Sequence, residues 1–192
     1  MTTKNLLLAG VGGQGTILAS KLLTLGLMSH GLDVKMSEVH GMSQREGPVL
    51  THVRFGEKVY SPVVEKGKGD ILIGFEELEV LRNLDYLRDD GEGIVILNTA
   101  RINPIGVLAG ADKYPQNVAE LIKKKTSHLI VLDASEEARK LGNTKVMNVI
   151  LLGVIIKYMQ LEDIDWGKII AENVKKPLVE INTKALKLGM NF

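Results

Sequence analysis

Gly10-Val11-Gly12-Gly13-Gln14-Gly15 is the clearest structural signal in this 192-residue chain. Residues 4–10 form a short apolar run that is typical of a buried strand, and residues 14–30 carry apolar side chains at helical spacing. A G-x-G-x-x-G loop between a strand and a helix is the context of the dinucleotide-binding fingerprint. The N-terminal part of the chain therefore predicts a Rossmann-like βα unit built around this loop.

Each residue of the loop has a predicted role. Gly10 would permit a tight turn, Gly12 the close approach of a pyrophosphate, and Gly15 close packing of the helix on the strand. Gly13 and Gln14 lie where a helix begins, and its free N–H groups and dipole favour an anion there. These residues are candidates for cofactor binding. The alternative is that the glycines only shape a crowded turn.

Glu38 is the candidate ribose-binding acid, because it lies near the end of the second predicted strand, about twenty residues beyond the loop. Two related functions are disfavoured. A P-loop requires lysine where Thr16 stands, which argues against ATP or GTP hydrolysis. None of the tyrosines is followed four residues later by lysine, which argues against a short-chain reductase of the common type.

Short apolar strands alternate with amphipathic helices along the chain, and the last third is almost entirely helical. The pattern predicts an α/β fold with a mostly parallel sheet, helices on both faces and a helical C-terminal third. Residues 49–55 and 58–64 are expected to form a hairpin around Gly56-Glu57. No linker or repeat interrupts the pattern, so residues 1–192 are expected to form a single domain.

The composition excludes several classes of function. The chain has 24 basic and 23 acidic residues, which gives no strong attraction to nucleic acid or to a membrane surface. It has no cysteine, so it cannot hold a disulfide, a thiolate nucleophile or an Fe–S cluster on cysteines. Its histidines lack metal-binding spacing, so no metal site is expected. No signal peptide or spanning segment is recognisable, and a cytoplasmic location is the expectation.

A second polar segment, residues 37–48, follows the second predicted strand. Loops that leave the carboxyl ends of strands line the ligand crevice of an α/β sheet, so this segment should share an edge with the glycine loop. His40 contributes an imidazole, and Arg45 can clamp a carboxylate or phosphate. With Ser43 and Gln44 they are candidates for a partner or substrate cleft, although a solvated loop whose polar groups cap one another is the alternative.

Other acidic residues have simpler explanations. Asp133 is expected to cap the helix that follows it rather than to act as a catalytic acid. Glu76 and Glu77 suit the first turn of a helix, where negative charge is favourable. No residue is identified as catalytic.

The two segments together resemble one family, the gamma-type subunits of 2-oxoacid:ferredoxin oxidoreductases. The glycine loop matches its opening G-x-G-G-Q-G, and Glu38-Val39-His40-Gly41-Met42-Ser43-Gln44-Arg45 is similar to the E-x-H-G-M-x-Q-R segment of the indolepyruvate branch. Asp70 to Glu76, Asn148 with Leu152-Gly153, and Glu180 to Gly189 extend the resemblance over nearly the whole chain. Glu46 departs from the family, which commonly has glycine there.

The resemblance implies an accessory subunit of a complex that oxidatively decarboxylates 2-oxoacids to acyl-CoA and passes electrons to ferredoxin. Thiamine diphosphate and the Fe–S clusters would lie on partner chains, and this chain would complete the complex and the CoA or substrate cleft. His40, Gln44 and Arg45 would face the catalytic subunit. The competing interpretation is a free-standing module that binds NAD(P) or a flavin, and a homodimer of the isolated chain is a further expectation.

Overall fold

A six-stranded sheet forms the centre of the protein, whose computed structural model describes residues 2–41 and 47–192. The strands lie in the order β2-β3-β1-β4-β5-β6. In chain order they are β1 (Lys4–Val11), β2 (Asp33–His40), β3 (Pro48–Gly56), β4 (Ile71–Gly74), β5 (Ile94–Asn98) and β6 (Leu129–Leu132). The apolar sequences of β1, β4 and β5 suit strands that are covered on both sides, whereas the edge strand β2 is polar and has no buried residue.

The sheet is mostly parallel, as predicted. β1, β4, β5 and β6 pair in parallel, whereas β3 pairs antiparallel with β1 on one side and with β2 on the other. β3 is therefore the one strand of these six that runs against the others. Its insertion separates β2 from β1, which a simple βαβ unit would place side by side.

The predicted hairpin between residues 49–55 and 58–64 is wrong. The first segment is β3, but it turns back on β2, and residues 58–64 form no strand. Side chains instead accept hydrogen bonds from some of the backbone N–H groups of the second segment. Val59 N–H donates to the Asp33 carboxylate at 2.9 Å, and Val64 N–H donates to Nδ1 of His52 at 3.2 Å. Pro62, which has no N–H, also suits a loop better than a ladder.

Helices cover both faces of the sheet, which confirms the predicted fold class, and the described chain has eight helices in all. They are α1 (Thr16–Ser29), α2 (Glu77–Asn83), α3 (Ile105–Leu108), α4 (Val118–Lys123), α5 (Ala134–Lys140), α6 (Met147–Met159), α7 (Trp166–Asn173) and α8 (Val179–Gly189). Residues of α1 and of α5 to α8 share one apolar core with the sheet. Residues of α2 and α4 share a second core on the opposite face. None of the helices in the described ranges is long and apolar enough to cross a bilayer.

α6 is the central helix of the larger core. Every residue from 147 to 156 is buried, so this helix is apolar all round rather than on one face. α8 packs against it at a point where both helices carry glycine. A Cβ atom built on Gly153 would lie 2.3 Å from the Leu186 carbonyl oxygen, and one on Gly189 would lie 2.0 Å from that of Ile150. The two backbones are therefore in direct contact.

His52 is a buried histidine on the face covered by α2. It is 3% exposed, and its ring meets the Tyr86 ring edge-on with centroids 5.5 Å apart. Burial disfavours the imidazolium and lowers the pKa of His52 below its ordinary value of 6.5. His52 thus acts as a neutral acceptor for the loop that follows β3, and its role is structural.

We expect the chain to lose stability as the pH falls below the ordinary histidine pKa. A histidine whose pKa is lower in the folded chain binds fewer protons there, so its contribution is complete above 6.5 and is lost below it. Urea unfolding between about pH 7.5 and 5.5 measures this loss. The loss should be smaller in His52→Gln, whereas His128→Gln, a change at a half-exposed histidine, should keep the wild-type profile. Equal losses in all three proteins would contradict the assignment.

Candidate functional site

The carboxyl ends of the parallel strands bring the two sequence motifs to one edge of the sheet. Gly10 and His40 are both paired with Val49 of β3, one on each side. Gly12 N–H donates to the carbonyl oxygen of Gly47 at 2.9 Å. The described ends of the polar segment therefore flank the glycine loop, as expected. Ser43, Gln44 and Arg45, and the divergent Glu46, lie outside the described residues.

The glycine loop requires glycine for reasons that lie within this chain. A Cβ atom on Gly10 would lie 2.9 Å from both Gln14 Oε1 and Phe75 Cβ. Gly15 has a φ of +82°, and a Cβ there would lie 2.3 Å from Nδ2 of Asn148. Gly13 also has a positive φ, but it is exposed and faces open space. Position 13 is therefore where the loop leaves most room for an approaching group.

Gln14 holds the loop in shape. Its Oε1 accepts a hydrogen bond from Val11 N–H at 2.8 Å, and its Nε2 donates to the Phe75 carbonyl oxygen at 3.1 Å. The side chain thus joins the end of β1 to the end of β4. Both polar atoms of the side chain bond within the chain, so Gln14 is a positioning residue in this geometry.

Glu38 lies far from the glycine loop. β3 separates its strand from β1, which places it two strand spacings, about 10 Å, from that strand. Its Oε2 is 3.4 Å from Nε2 of His40, and its buried Oε1 has no hydrogen-bond partner among the described residues. A ribose-binding role for Glu38 stays a prediction, and this strand order does not favour it. His40 is the last residue of β2, and its side chain is half-exposed at the same edge of the sheet.

A crevice of about 570 Å³ opens at the same edge, and sequence analysis missed it. It lies beside the ends of β1 and β4, where the chain order reverses: α1 covers one face of the sheet and α2 the other. Ligands of open α/β sheets bind at such switch points. Its lining residues are Val11, Gly47, Pro48, Glu76, Leu78, Glu79, Arg82, Asp112 and residues 102–106 and 108.

Glu76 anchors the wall of this crevice. It is 1% exposed, and its Oε2 accepts from Glu79 N–H at 2.9 Å, which caps α2. Its Oε1 accepts from Ile102 N–H at 3.1 Å and from the hydroxyl of Tyr114. Burial, together with this bond to a carboxylate, raises the pKa of Tyr114 above its usual range. Glu76, which was expected to act as an acid at the start of a helix, thus also connects α2 to the loop after β5.

Glu79 is the second buried carboxylate of the crevice. It is 3% exposed, and Nη1 of Arg82 lies 2.6 Å from its Oε1. Burial raises the pKa of Glu79, and the Arg82 guanidinium opposes that shift. The sequence signal was present in the three glutamates at positions 76, 77 and 79 directly after a buried strand. The sequence pattern predicts Glu76 and Glu77 as ordinary first-turn acids and does not single out Glu79, because sequence alone does not give burial.

The remaining candidates have structural roles. Asp133 caps α5 through a hydrogen bond from Glu136 N–H at 2.8 Å, as predicted. Glu77 forms an ion pair with Arg101 at 2.6 Å. Within residues 2–41 and 47–192, no group of three or more acidic or histidine side chains is placed to hold a metal ion.

Fold and site together define a class: a Rossmann-like α/β protein whose glycine loop is held by its own side chains, beside an acidic crevice. Residues 5–192 match the family described as pyruvate ferredoxin/flavodoxin oxidoreductase, and the chain belongs to that family. The resemblance inferred from the sequence motifs is thereby confirmed, and so is the interpretation of the chain as an oxidoreductase subunit.

Individual relatives cover the whole chain. The indolepyruvate oxidoreductase subunit IorB of Archaeoglobus fulgidus is 37% identical over 193 residues, which cover 97% of this chain and 94% of that protein. The pyruvate oxidoreductase subunit PORC of Thermotoga maritima has the same fold, with a TM-score of 0.74 at 20% identity over 100% of this chain and 97% of that one. In the 2-oxoglutarate:ferredoxin oxidoreductase of Magnetococcus marinus the fold recurs with a TM-score of 0.75 at 15% identity, covering 100% of this chain and 31% of that longer chain.

Proposed function

We propose that this protein is the accessory subunit of a 2-oxoacid:ferredoxin oxidoreductase that converts an aryl 2-oxoacid, of the indolepyruvate class, to its acyl-CoA. The observation that carries the proposal is the end-to-end match to indolepyruvate oxidoreductase subunits at 37% identity. Thiamine diphosphate and the Fe–S clusters belong to the partner chain in this proposal, which accords with a chain that has no cysteine. A cytoplasmic location is part of the same proposal.

The edge that carries the glycine loop is the face toward the catalytic subunit in this proposal. Gly12 and Gly13 give it a surface without side chains, where a partner backbone or an anionic group such as that of CoA can approach closely. Gln14 fixes the shape of this surface through its bonds to β1 and β4. His40, Ser43, Gln44 and Arg45 supply polar side chains next to it.

Substitution Arg45→Ala is expected to weaken assembly with the catalytic subunit or to lower turnover of the complex by roughly tenfold or more. The physical reason is the loss of a charge-assisted hydrogen bond, worth about 1.5–3 kcal/mol. Co-purification and steady-state kinetics of the full complex measure both effects. Lys184→Ala serves as the control, because this lysine lies on α8 and pairs locally with Glu180 at 2.7 Å.

Unchanged assembly together with unchanged kinetics in Arg45→Ala would contradict the proposed role of this segment. Micromolar binding of NADH or FAD by the isolated chain, measured by calorimetry, would instead support a free-standing dinucleotide module. The position of Glu38, two strands from β1, and the internal bonds of Gln14 both argue against that module.

A further inference from the structure

Two large apolar side chains stand exposed at the mouth of the crevice. Ile105 and Leu108, both on the short helix α3, are 84% and 71% exposed. Single exposed apolar residues are common, but two on one turn beside a concave site are typical of an interaction surface. Both also line the crevice, together with Val11, Pro48 and Leu78. The mouth is therefore lined by apolar side chains that the described residues leave uncovered.

The interior of the crevice is acidic. In the described part of the chain its lining side chains comprise three carboxylates, those of Glu76, Glu79 and Asp112, and one guanidinium, that of Arg82. The hydrogen bonds of Glu76 are all internal, so its carboxylate belongs to the scaffold. Glu79 is different, because its cation, Arg82, has a side chain that is 46% exposed. Glu79 and Arg82 both line the crevice, so a cation supplied there can take the place of Arg82, whose side chain is free to move into solvent.

Burial of Glu79 is costly in the chain alone. A carboxylate removed from water is stabilised only when it is paired and hydrogen-bonded. Among the described residues Glu79 pairs with Arg82, whose side chain is half in solvent, so this ion pair compensates weakly for the burial. The raised pKa of Glu79 has the same cause. Such a group is well suited to an incoming cation and poorly suited to a phosphate or carboxylate.

We propose that the crevice is the docking site for a segment of the catalytic partner subunit that carries a lysine or arginine side chain flanked by apolar residues. The cation pairs with Glu79, and the flanking residues cover Ile105 and Leu108. The proposal rests on the proposed function, which supplies the partner. Continuity supports it, because Val11, Gly47 and Pro48 connect the crevice directly to the edge that carries the glycine loop.

Charge complementarity decides the class of occupant. A volume of about 570 Å³ is that of an ordinary ligand pocket and accommodates a few side chains of a peptide segment. The excess of carboxylates over guanidinium in the lining repels anionic ligands. Apolar contact at the mouth with a buried ion pair in the interior is also the usual composition of an interface anchor.

The test uses the full chain and its catalytic subunit, with three variants. Glu79→Gln removes the interior charge at constant shape, and Leu108→Ser removes an apolar contact at the mouth. Tyr60→Ser is the matched control, because Tyr60 is 85% exposed but follows β3 at the opposite edge of the sheet. We expect the dissociation constant to rise roughly tenfold or more in the first two variants and to stay unchanged in the control.

A stability measurement separates docking from a structural role. In urea unfolding of the free chain, Glu79→Gln should be as stable as wild type or more stable, although it binds the partner more weakly. Parallel loss of stability and binding in this variant would overturn the proposal, as would wild-type affinity in both crevice variants. Failure of the wild-type chain itself to bind the catalytic subunit would refute the proposed function instead.

Discussion

Substitution Gly153→Ala is expected to be among the most destabilising single changes in this protein. The new methyl group would lie 2.3 Å from the Leu186 carbonyl oxygen and 2.8 Å from Cα of Gly189. Both are backbone atoms of α8, so no side chain can rotate away, and the two helices must separate. Overpacking of this kind costs about 3 kcal/mol. Urea unfolding should show a lower midpoint, with loss of the native signal of the C-terminal helices.

Gly167→Ala is the matched control for this prediction. Gly167 lies on α7, and a Cβ atom there would meet only Oδ1 of Asp165, at 3.4 Å. Alanine is the better helix former, so this substitution should stabilise the chain by roughly 0.5–1 kcal/mol. An unfolding midpoint of Gly153→Ala equal to that of wild type would contradict direct backbone contact between α6 and α8.

Gly15→Ala, in the glycine loop, is expected to lower the stability of the chain by a similar amount. Its φ of +82° is strained for any side chain, and its Cβ would lie 2.3 Å from Nδ2 of Asn148. Asn148 cannot move without losing its 3.0 Å hydrogen bond to the Gly15 carbonyl oxygen. Strain and crowding together should cost roughly 2–4 kcal/mol. Because the loop is displaced, the complex with the catalytic subunit should also form poorly.

Gly31→Ala separates strain from crowding. Gly31 has a φ of +83°, almost that of Gly15, but nothing lies within 4 Å of a Cβ there. Its substitution should cost only the strain, about 1 kcal/mol. The difference between the two variants measures the contact with Asn148. Adding Asn148→Ala to Gly15→Ala should recover part of that difference, and no recovery would show that the crowding lies elsewhere.

The sequence predicted most strands and helices because their apolar runs and periodicities are local. It could not give the insertion of β3 between β1 and β2. The apolar pattern of residues 48–56 suits a strand in several positions, and the choice depends on partners distant in the chain. The hairpin with residues 58–64 failed because side chains, those of Asp33 on β2 and His52 on β3, satisfy part of that backbone in place of a strand ladder.

The candidate site was predicted in part. The glycine loop and the polar segment were expected to share an edge, and the described residues of both do. What the sequence could not show is that Gln14 turns inward to bridge β1 and β4, because its partners are backbone groups. Nor could it show the burial of Glu79, which depends on how α2 packs beside the loop after β5. The acidic crevice is thus a product of tertiary structure alone.

Helix α6 poses a problem while the chain is still being synthesised. It has ten consecutive buried residues and no polar side to keep in water. α8, against which it packs, is the last of the described helices to leave the ribosome. The nascent chain therefore carries an incompletely covered apolar helix until residues 179–189 emerge, and such surface drives aggregation and calls for chaperones. Completion of this core consequently waits for the synthesis of α8, and chains that terminate before residue 179 are expected substrates for cellular quality control.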